Sequence, residues 1–391
     1  MTSTPMPAAL LKEVVDACTG LAPAPATVLS GGPVHLHLHC APPPPLAQLV
    51  AALTPYLRAS DTVDGVPSQE IKVVVSDTAL ARRVGHVITT AGGSPRHSEP
   101  HLVHKGIHLV RKSAGSPPGR RFGHLLWSDD NPRTTYVILP GADSASQKVL
   151  LRMVRAIAAR TLLAAGWVPL HAACVTTTAG AVILLGGQGG GKTTAMLRLL
   201  DDAIRPASFV ANDKVFLSPE TAGRVEVRAL PTAVGLRGPA LRLFPALSRA
   251  APAAAVSQNS GAARDADSRE GRTYLTAQRV AEAFAVSQSE GGPLVTFVDV
   301  AYRGPGHSAW RPLALEERVA ALHAAYLADG LLDDPHEHSR LHRDHGHSHH
   351  QRLQRCAAGV PAAAFSPGDD AAPILTAGMA GLLAQAERTL P

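Results

Sequence analysis

The spacing of apolar residues divides the chain into a less regular first part and a more regular second part. Short stretches of the first part have the period of helices, at Leu10–Ala17, Leu46–Leu57 and Leu80–Thr90, or of strands, at Val34–Cys40, Ile71–Val75, His104–Lys112 and Thr134–Leu139. This mixture predicts a small N-terminal α+β domain over residues 1–140. No motif within it indicates a role.

The second part begins with a helix and then alternates strands with helices. Ser144 opens the helix, and Leu150, Met153, Val154 and Ile157 fall on one of its faces. The elements that follow are strands at Ala172–Thr177, Ala181–Leu185, Ser208–Ala211, Leu294–Tyr302 and Val360–Ser366, a hairpin of Val215–Ser218 with Arg224–Ala229, and helices at Thr193–Asp202, Glu316–Leu327 and Pro373–Glu387. The pattern predicts an α/β fold, in which residues 141–391 form the second domain.

Two segments of the second domain lack this periodicity. Residues 250–271 are rich in Ala, Ser, Asn and Arg, which predicts a mobile loop. Residues 333–350 contain seven histidines, and such tracts bind transition metals readily. Because the tract lacks the fixed spacing of a structured site, a solvated insertion and a metal site both stay open.

Three other histidines alternate along the predicted strand at residues 34–40. His35, His37 and His39 therefore share one face of that strand. With no carboxylate or cysteine placed beside them, they predict a polar, solvent-facing side.

The clearest chemical signal is the glycine-rich segment GGQGGGKT at residues 186–193. It satisfies the P-loop pattern G-x-x-x-x-G-K-[ST] and lies between an apolar strand and a helix, as that motif requires. Backbone N–H groups of such a loop turn inward around a phosphate, and the helix directs its positive N-terminal end at the same anion. Lys192 supplies a cation for the β- and γ-phosphates, and Thr193 supplies a hydroxyl ligand for Mg²⁺. The predicted nucleotide-binding residues are Gly186, Gly187, Gln188, Gly189, Gly190, Gly191, Lys192, Thr193 and Thr194.

Three flanking segments narrow the choice among P-loop proteins: LHAA with His171, FVANDKV with Asn212 and Asp213, and VEVRAL with Glu226 and Arg228. Over roughly residues 145–302 these segments resemble the superfamily of HPr kinase/phosphorylase and ATP-dependent phosphoenolpyruvate carboxykinase. That family has a His ahead of a hairpin into the loop, a strand that ends in Asp-Asp, and a Glu-x-Arg segment. The chain departs from the family at Asn212, where a second Asp is usual.

The resemblance implies a fold, a reaction and a set of residues. The implied fold is a mixed-sheet core of the HPr-kinase type, in which the first two strands pair as a hairpin. The implied reaction is ATP-dependent, Mg²⁺-assisted transfer of the γ-phosphate to a hydroxyl of a peptide, a protein or a small metabolite, as in tailoring kinases of natural-product pathways. By the same resemblance, the catalytic residues are Asp213, His171 and Arg228, and the metal ligands are Thr193, Asp213 and Glu226.

Other interpretations of these residues stay open. An Asp after a strand also caps turns, a His also has structural roles, and Glu-x-Arg alternation also describes an exposed strand face. Arg237 is a candidate for stabilising the transferring phosphate, or a solvated loop charge. Because Asn212 cannot accept a proton, a nucleotide-binding regulatory or scaffold protein with little turnover is the alternative function. A carboxykinase-like lyase would need a further Lys and Arg set, which we do not find.

Composition argues against several classes of protein. The net charge of +6 is not gathered into a run of basic residues, which argues against a nucleic-acid partner. No apolar run is long enough to cross a bilayer, and no signal-peptide pattern begins the chain. The four cysteines lie far apart, which predicts a reduced, cytoplasmic compartment. A homo-oligomer is left open.

Overall fold

A computed structural model describes residues 26–41, 46–60, 69–75, 84, 101–104, 107–114, 121–128, 131–141, 143–202, 207–220, 223–230, 232–251, 272–327 and 348–389. The segments predicted as helices at Leu10–Ala17 and Leu80–Thr90, the loop 250–271 and the His-rich segment 333–350 lie wholly or almost wholly outside these residues. Within the described ranges, no helix combines the length and apolarity that crossing a membrane requires.

The described residues form two compact units, 26–165 and 166–389. Each unit combines helices with a sheet that contains both parallel and antiparallel pairs, so the predicted α/β class is confirmed. The division lies after the helix that begins at Ser144, whereas the sequence division at residue 140 assigned this helix to the second domain.

The first unit is built on an eight-stranded sheet in the order β3-β1-β2-β4-β8-β7-β6-β5. Its elements are β1 Ala26–Gly31, β2 Val34–Ala41, α1 Leu46–Leu53, β3 Arg58–Ser60, β4 Gln69–Val75, β5 His101–His104, β6 Ile107–Ala114, β7 Arg121–Ser128, β8 Asn131–Leu139 and α2 Ser144–Ala164. The central pairs β2–β4 and β4–β8 are parallel, and the outer pairs are antiparallel. The sequence analysis did not identify β1, β3, β5 or β7.

Helix α2 packs against this sheet. Asp143 caps its N-terminus, because the carboxylate Oδ1 accepts a hydrogen bond from the backbone N–H of Ser146 at 2.7 Å. The apolar side predicted for the helix is buried, with Met153, Val154 and Ile157 at most 1% exposed. These side chains pack toward β6, β7 and β8 and form the core of the unit.

The three alternating histidines of β2 share their face with a carboxylate. Nδ1 of His37 and Nε2 of His39 lie 3.3 and 2.6 Å from the carboxylate oxygens of Glu70. Glu70 belongs to β4, and the parallel pairing of β2 with β4 places it beside His37. No local pattern could have indicated this neighbour, since 33 positions separate the two residues along the chain.

The second unit has a nine-stranded sheet. Seven of its strands are adjacent in the order β12-β10-β11-β17-β14-β13-β9, and the other two form a branch in which β19 pairs with β17 and β18 pairs with β19. Its strands are β9 Val168–His171, β10 Ala173–Thr176, β11 Ala181–Leu185, β12 Ser208–Ala211, β13 Lys214–Leu217, β14 Glu226–Ala229, β17 Gly291–Val300, β18 Ala309–Pro312 and β19 Ala362–Ser366, with a separate two-stranded ribbon of β15 Val234–Arg237 and β16 Arg272–Leu275. Its helices are α3 Lys192–Leu200, α4 Gly238–Leu243, α5 Pro245–Ala250, α6 Ala277–Ala283, α7 Leu315–Ala325, α8 348–359 and α9 Ala371–Thr389.

The predicted hairpins are present in this sheet. Strands β10 and β11 pair antiparallel, and so do β13 and β14. Strand β11 is parallel to β17 on its other side, and β12 is antiparallel to β10. Strands β11, β12 and β17 therefore run in the same direction, and the residues that follow them emerge at one edge of the sheet.

Candidate functional site

The glycine-rich segment leads from β11 into α3 through a backbone that other residues cannot adopt. Gly186, Gly189 and Gly191 have φ values of 130°, 77° and 98°, in the region that favours glycine. A Cβ on Gly186 would also lie 2.2 Å from the carbonyl oxygen of Val300. Conformation therefore favours glycine at all three positions, and close packing requires it at Gly186.

Lys192 is drawn into this loop. Its side chain is 7% exposed, and Nζ donates hydrogen bonds to the carbonyl oxygens of Gly186 and Gly187 at 2.6 and 3.1 Å. Burial lowers the pKa of Lys192, while the carboxylates of Asp213 and Asp299 act to raise it. The loop thus holds a cation whose cost of burial is only partly offset by two carboxylates.

Thr193, the second residue of helix α3, contacts a residue at the end of β12. Its hydroxyl donates a hydrogen bond to Oδ1 of Asn212 at 2.8 Å. Asn212 follows β12 directly, so the shared direction of β11 and β12 brings the two side chains together. Asn212, which stands where the resembled family usually has an Asp, is therefore in position to orient the hydroxyl of Thr193, the predicted magnesium ligand.

Asp213 is paired with His171, the other side chain of the acid–base side of the site. Asp213 Oδ1 lies 3.1 Å from Nδ1 of His171. His171 ends β9, whose antiparallel pairing with β13 sets it opposite Lys214, and the N–H of Ala172 donates to the carbonyl of Asp213 at 3.1 Å. A short strand that the sequence analysis missed is thus what carries His171 to the carboxylate.

These groups line one cleft of about 540 Å³. Its lining has three parts: the loop residues Gly187 to Thr194, an acid–base side with His171, Asn212 and Asp213, and a wall with Ala233, Gly235, Leu236, Arg237, Pro239, Ala240 and Tyr274. The cleft therefore brings together most of the residues that the sequence indicated. Gly186 contributes its carbonyl to Lys192 from behind the loop.

Two of the residues implied by the resemblance lie elsewhere. Glu226 and Arg228 are on β14 and do not line the cleft. The side chain of Arg228 donates to the carboxylate of Glu290 at 2.8 Å, and Glu226 is exposed. Arg237, in contrast, does line the cleft.

Asp299 is a carboxylate near the loop that the sequence analysis did not single out. It pairs with Leu185, the last residue of β11, and is partly buried. Burial raises the pKa of Asp299, while Arg311 and Lys192 lower it. A signal was present, because Asp299 is an acid within the last two residues of the apolar segment LVTFVDV, close to a strand end as Asp213 is.

The end of the His-rich segment packs against α7. The Tyr326 hydroxyl lies 2.9 Å from Nδ1 of His349, and the rings of His323 and His350 have centroids 4.7 Å apart. In the part of the chain that the structure describes, no group of three or more His, Cys, Asp or Glu residues is arranged to hold a metal ion.

Comparison with known proteins adds little to this geometry. No protein-family model matches the chain, and no curated protein matches it. Among solved structures, the chain is similar to the HPr(Ser) kinase/phosphatase from Coxiella burnetii, with a TM-score of 0.29 and 8% identity, over 56% of this chain and 98% of that one. A TM-score this low carries no weight, so the function is inferred from the residues of the cleft.

Proposed function

We propose that the protein is an ATP-dependent kinase that transfers the γ-phosphate to a hydroxyl of a peptide or protein Ser/Thr or of a small metabolite, in a setting such as natural-product tailoring. One observation carries the proposal: the P-loop residues and the His171–Asp213 pair, 3.1 Å apart, line the same cleft. Phosphoryl transfer needs a phosphate cradle and a group that positions the attacking hydroxyl, and this cleft supplies candidates for both.

The residues have separate roles in this proposal. The loop amides and Lys192 bind the phosphates, and the acceptor hydroxyl is oriented by Asp213, which His171 holds in place. Transfer forms a bond between the acceptor oxygen and the γ-phosphorus and breaks the bond to the β–γ bridging oxygen. The hydroxyl proton passes to Asp213, and ADP leaves.

Mg²⁺ fits this site as a partner of the nucleotide. It usually binds proteins through one or two side chains and completes its shell with water and phosphate oxygens. Thr193, oriented by Asn212, and Asp213 are the residues that would hold it. When bound, Mg²⁺ supplies charge neutralisation for the phosphates.

The second candidate is a nucleotide-binding regulatory or scaffold protein with little turnover. Asn212 favours it, because an amide accepts hydrogen bonds but cannot take up a proton. In that case the loop would bind ATP, but Asp213 alone would not activate a hydroxyl, and no phosphate would be transferred.

The test is single-turnover transfer from γ-labelled ATP to candidate peptides and metabolites, measured beside ATP affinity. Asp213→Asn should reduce transfer at least about a hundredfold, the lower range for the loss of a positioned acid–base group, with ATP affinity largely kept. Asn212→Asp is the matched variant and should be tolerated, because it restores the acidic pair of the family. Transfer at the parental rate by Asp213→Asn would contradict the role of Asp213. If the parental protein binds ATP but phosphorylates no candidate acceptor, the regulatory alternative is favoured.

A further inference from the structure

The wall of the cleft is made by the ribbon of β15 and β16, and this ribbon has one buried face and one open face. Val234, Leu236 and Leu275 are at most 1% exposed and belong to the hydrophobic core that also contains α3. Alternation along the two strands then turns the intervening residues to the other face. The open face is therefore held rigidly by the core behind it.

Tyr274 is the prominent side chain of the open face. It is 54% exposed and lines the cleft together with the P-loop. The residue directly across the ribbon is Gly235, so no side chain of the partner strand covers the tyrosine ring at that position. A flat aromatic surface is thus left open to the cleft in which the phosphates are proposed to bind.

We propose that Tyr274 is the stacking platform for the nucleobase, and that the site accepts GTP as readily as ATP. The inference rests on the proposed nucleotide site. The side of the cleft with His171, Asn212 and Asp213 is polar, and suits the terminal phosphate and the acceptor hydroxyl. The wall, with the exposed ring of Tyr274, is the part of the lining whose chemistry matches the face of a base.

The polar groups on this wall give the site little means to distinguish adenine from guanine. Stacking on an aromatic ring uses the π-face that every base has, whereas base identity is read by hydrogen bonds to the base edge. Among the described residues of the wall, the polar side chains are Arg237 and Tyr274. The wall has no carboxylate or carboxamide side chain in its described part to accept from the adenine amino group, so adenine gains no advantage over guanine.

The experiment measures the affinities of the full-length chain for Mg·ATP, Mg·GTP and inorganic tripolyphosphate. Tyr274→Ala should weaken both nucleotides by about tenfold, within the range for the loss of one base–aromatic stack, and leave tripolyphosphate affinity within about twofold. Tyr274→Phe keeps the ring and should bind ATP within about threefold of the parental protein. In the parental protein, ATP and GTP affinities should agree within about threefold.

Tyr302→Ala is the matched control. Tyr302 is a second tyrosine with 54% exposure, and its side chain does not line the cleft. Its backbone N–H donates to the carbonyl of Gly190 at 3.0 Å, and alanine keeps this bond, so the variant should leave all three affinities unchanged. The inference would be overturned if Tyr274→Ala kept the parental ATP affinity, or if Tyr302→Ala lost nucleotide affinity instead. It would also be overturned if the parental protein bound ATP more than about tenfold more tightly than GTP. None of those results would contradict the P-loop assignment, provided that the parental protein binds tripolyphosphate. Failure of tripolyphosphate to bind the parental protein would overturn the nucleotide site itself.

Discussion

Lys192 shows how a single residue can combine structural and functional roles. It lies buried against the carbonyls of Gly186 and Gly187, so it stabilises the loop, and in the proposed function it also offers charge to a phosphate. Only the second role depends on the ligand. The two roles can therefore be separated by measuring stability and affinity on the same variants.

Lys192→Ala should greatly reduce affinity for ATP. Loss of one buried contact between a charge and a phosphate costs on the order of 2–5 kcal/mol. Lys192→Met, which retains most of the side-chain volume, should lose the same affinity with less effect on thermal unfolding. Calorimetric titration with ATP is the measurement, and unchanged affinity in a folded variant would rule out the P-loop assignment.

Asp299 lies near the loop, where burial of its carboxylate lowers the stability of the fold. Because burial raises its pKa above the value of the unfolded chain, the folded state takes up a proton more readily than the unfolded state. Its contribution to stability therefore falls as pH rises from the unfolded pKa through the folded one, and stays low at neutral pH. Residues retained under such a cost are often tied to function.

Asp299→Asn should accordingly raise the free energy of unfolding at pH 7, because it removes the partly buried charge. The gain should shrink as the pH falls toward the acidic range, where the parental carboxyl is also neutral. Denaturant unfolding at a series of pH values measures both effects. A variant that is less stable than the parental protein at pH 7 would show that the attractions of Lys192 and Arg311 outweigh the burial.

At the scale of elements, β7 carries a titratable group into the core of the first unit. His124 is 2% exposed, and neither ring nitrogen has a hydrogen-bond partner among the described residues. Burial, with a smaller contribution from Arg111, lowers the pKa of His124 to about 4. The strand thus contains a histidine that the folded state keeps neutral.

This histidine should make the stability of the first unit depend on pH. Between the unfolded pKa of about 6.5 and the folded value of about 4, the unfolded chain binds a proton that the folded chain does not. Stability is therefore lost as pH falls through that window, by on the order of 2 kcal/mol between pH 8 and pH 5. His124→Leu should lack this part of the loss in denaturant unfolding, and parallel pH profiles of the two proteins would contradict the prediction.

At the scale of the whole molecule, the cleft belongs to one of two compact units. The three tryptophans divide between them, Trp127 in the first and Trp167 and Trp310 in the second. A ligand that binds only the folded form stabilises the unit that holds its site, by about 2.7 kcal/mol at a hundred times its Kd. Tryptophan fluorescence can therefore report which unit responds to a nucleotide.

Thermal unfolding of two variants tests this. Trp127→Phe retains only the tryptophans of the second unit, so its fluorescence reports the unfolding of that unit. The midpoint temperature of this transition should rise by several degrees with saturating Mg·ATP. The double variant Trp167→Phe/Trp310→Phe reports the first unit, and its transition should move less. A larger rise of the transition temperature in the double variant would indicate that the nucleotide binds the first unit, and would contradict the assignment of the site to the second.

Much of the second unit could be predicted because its signals are local. Strand β11 and the turn before it, the loop and α3 are adjacent in the chain, and each is determined by residues within a few positions of one another. The pairing of β10 with β11 follows from a short turn, in which Thr177 and Gly180 exchange backbone hydrogen bonds at 2.8 and 3.2 Å across Thr178 and Ala179. Two of the missed strands, β9 and β15, contain Pro169 and Gly235, residue types that are uncommon within strands, and their four residues offer no other strand signal.

By itself, then, the sequence determined the α/β class, the hairpin into the loop and the glycine-rich P-loop pattern, since glycine conformation and apolar period act over short spans of chain. Only the tertiary structure decided which distant residues share a site. Pairing of β9 with β13 set His171 beside Asp213, pairing of β16 with β15 set Tyr274 at the cleft, and β14 kept Glu226 outside it. The physical reason is that strand register is set by burial and hydrogen bonding between segments far apart in the chain, and these interactions leave no local pattern to detect.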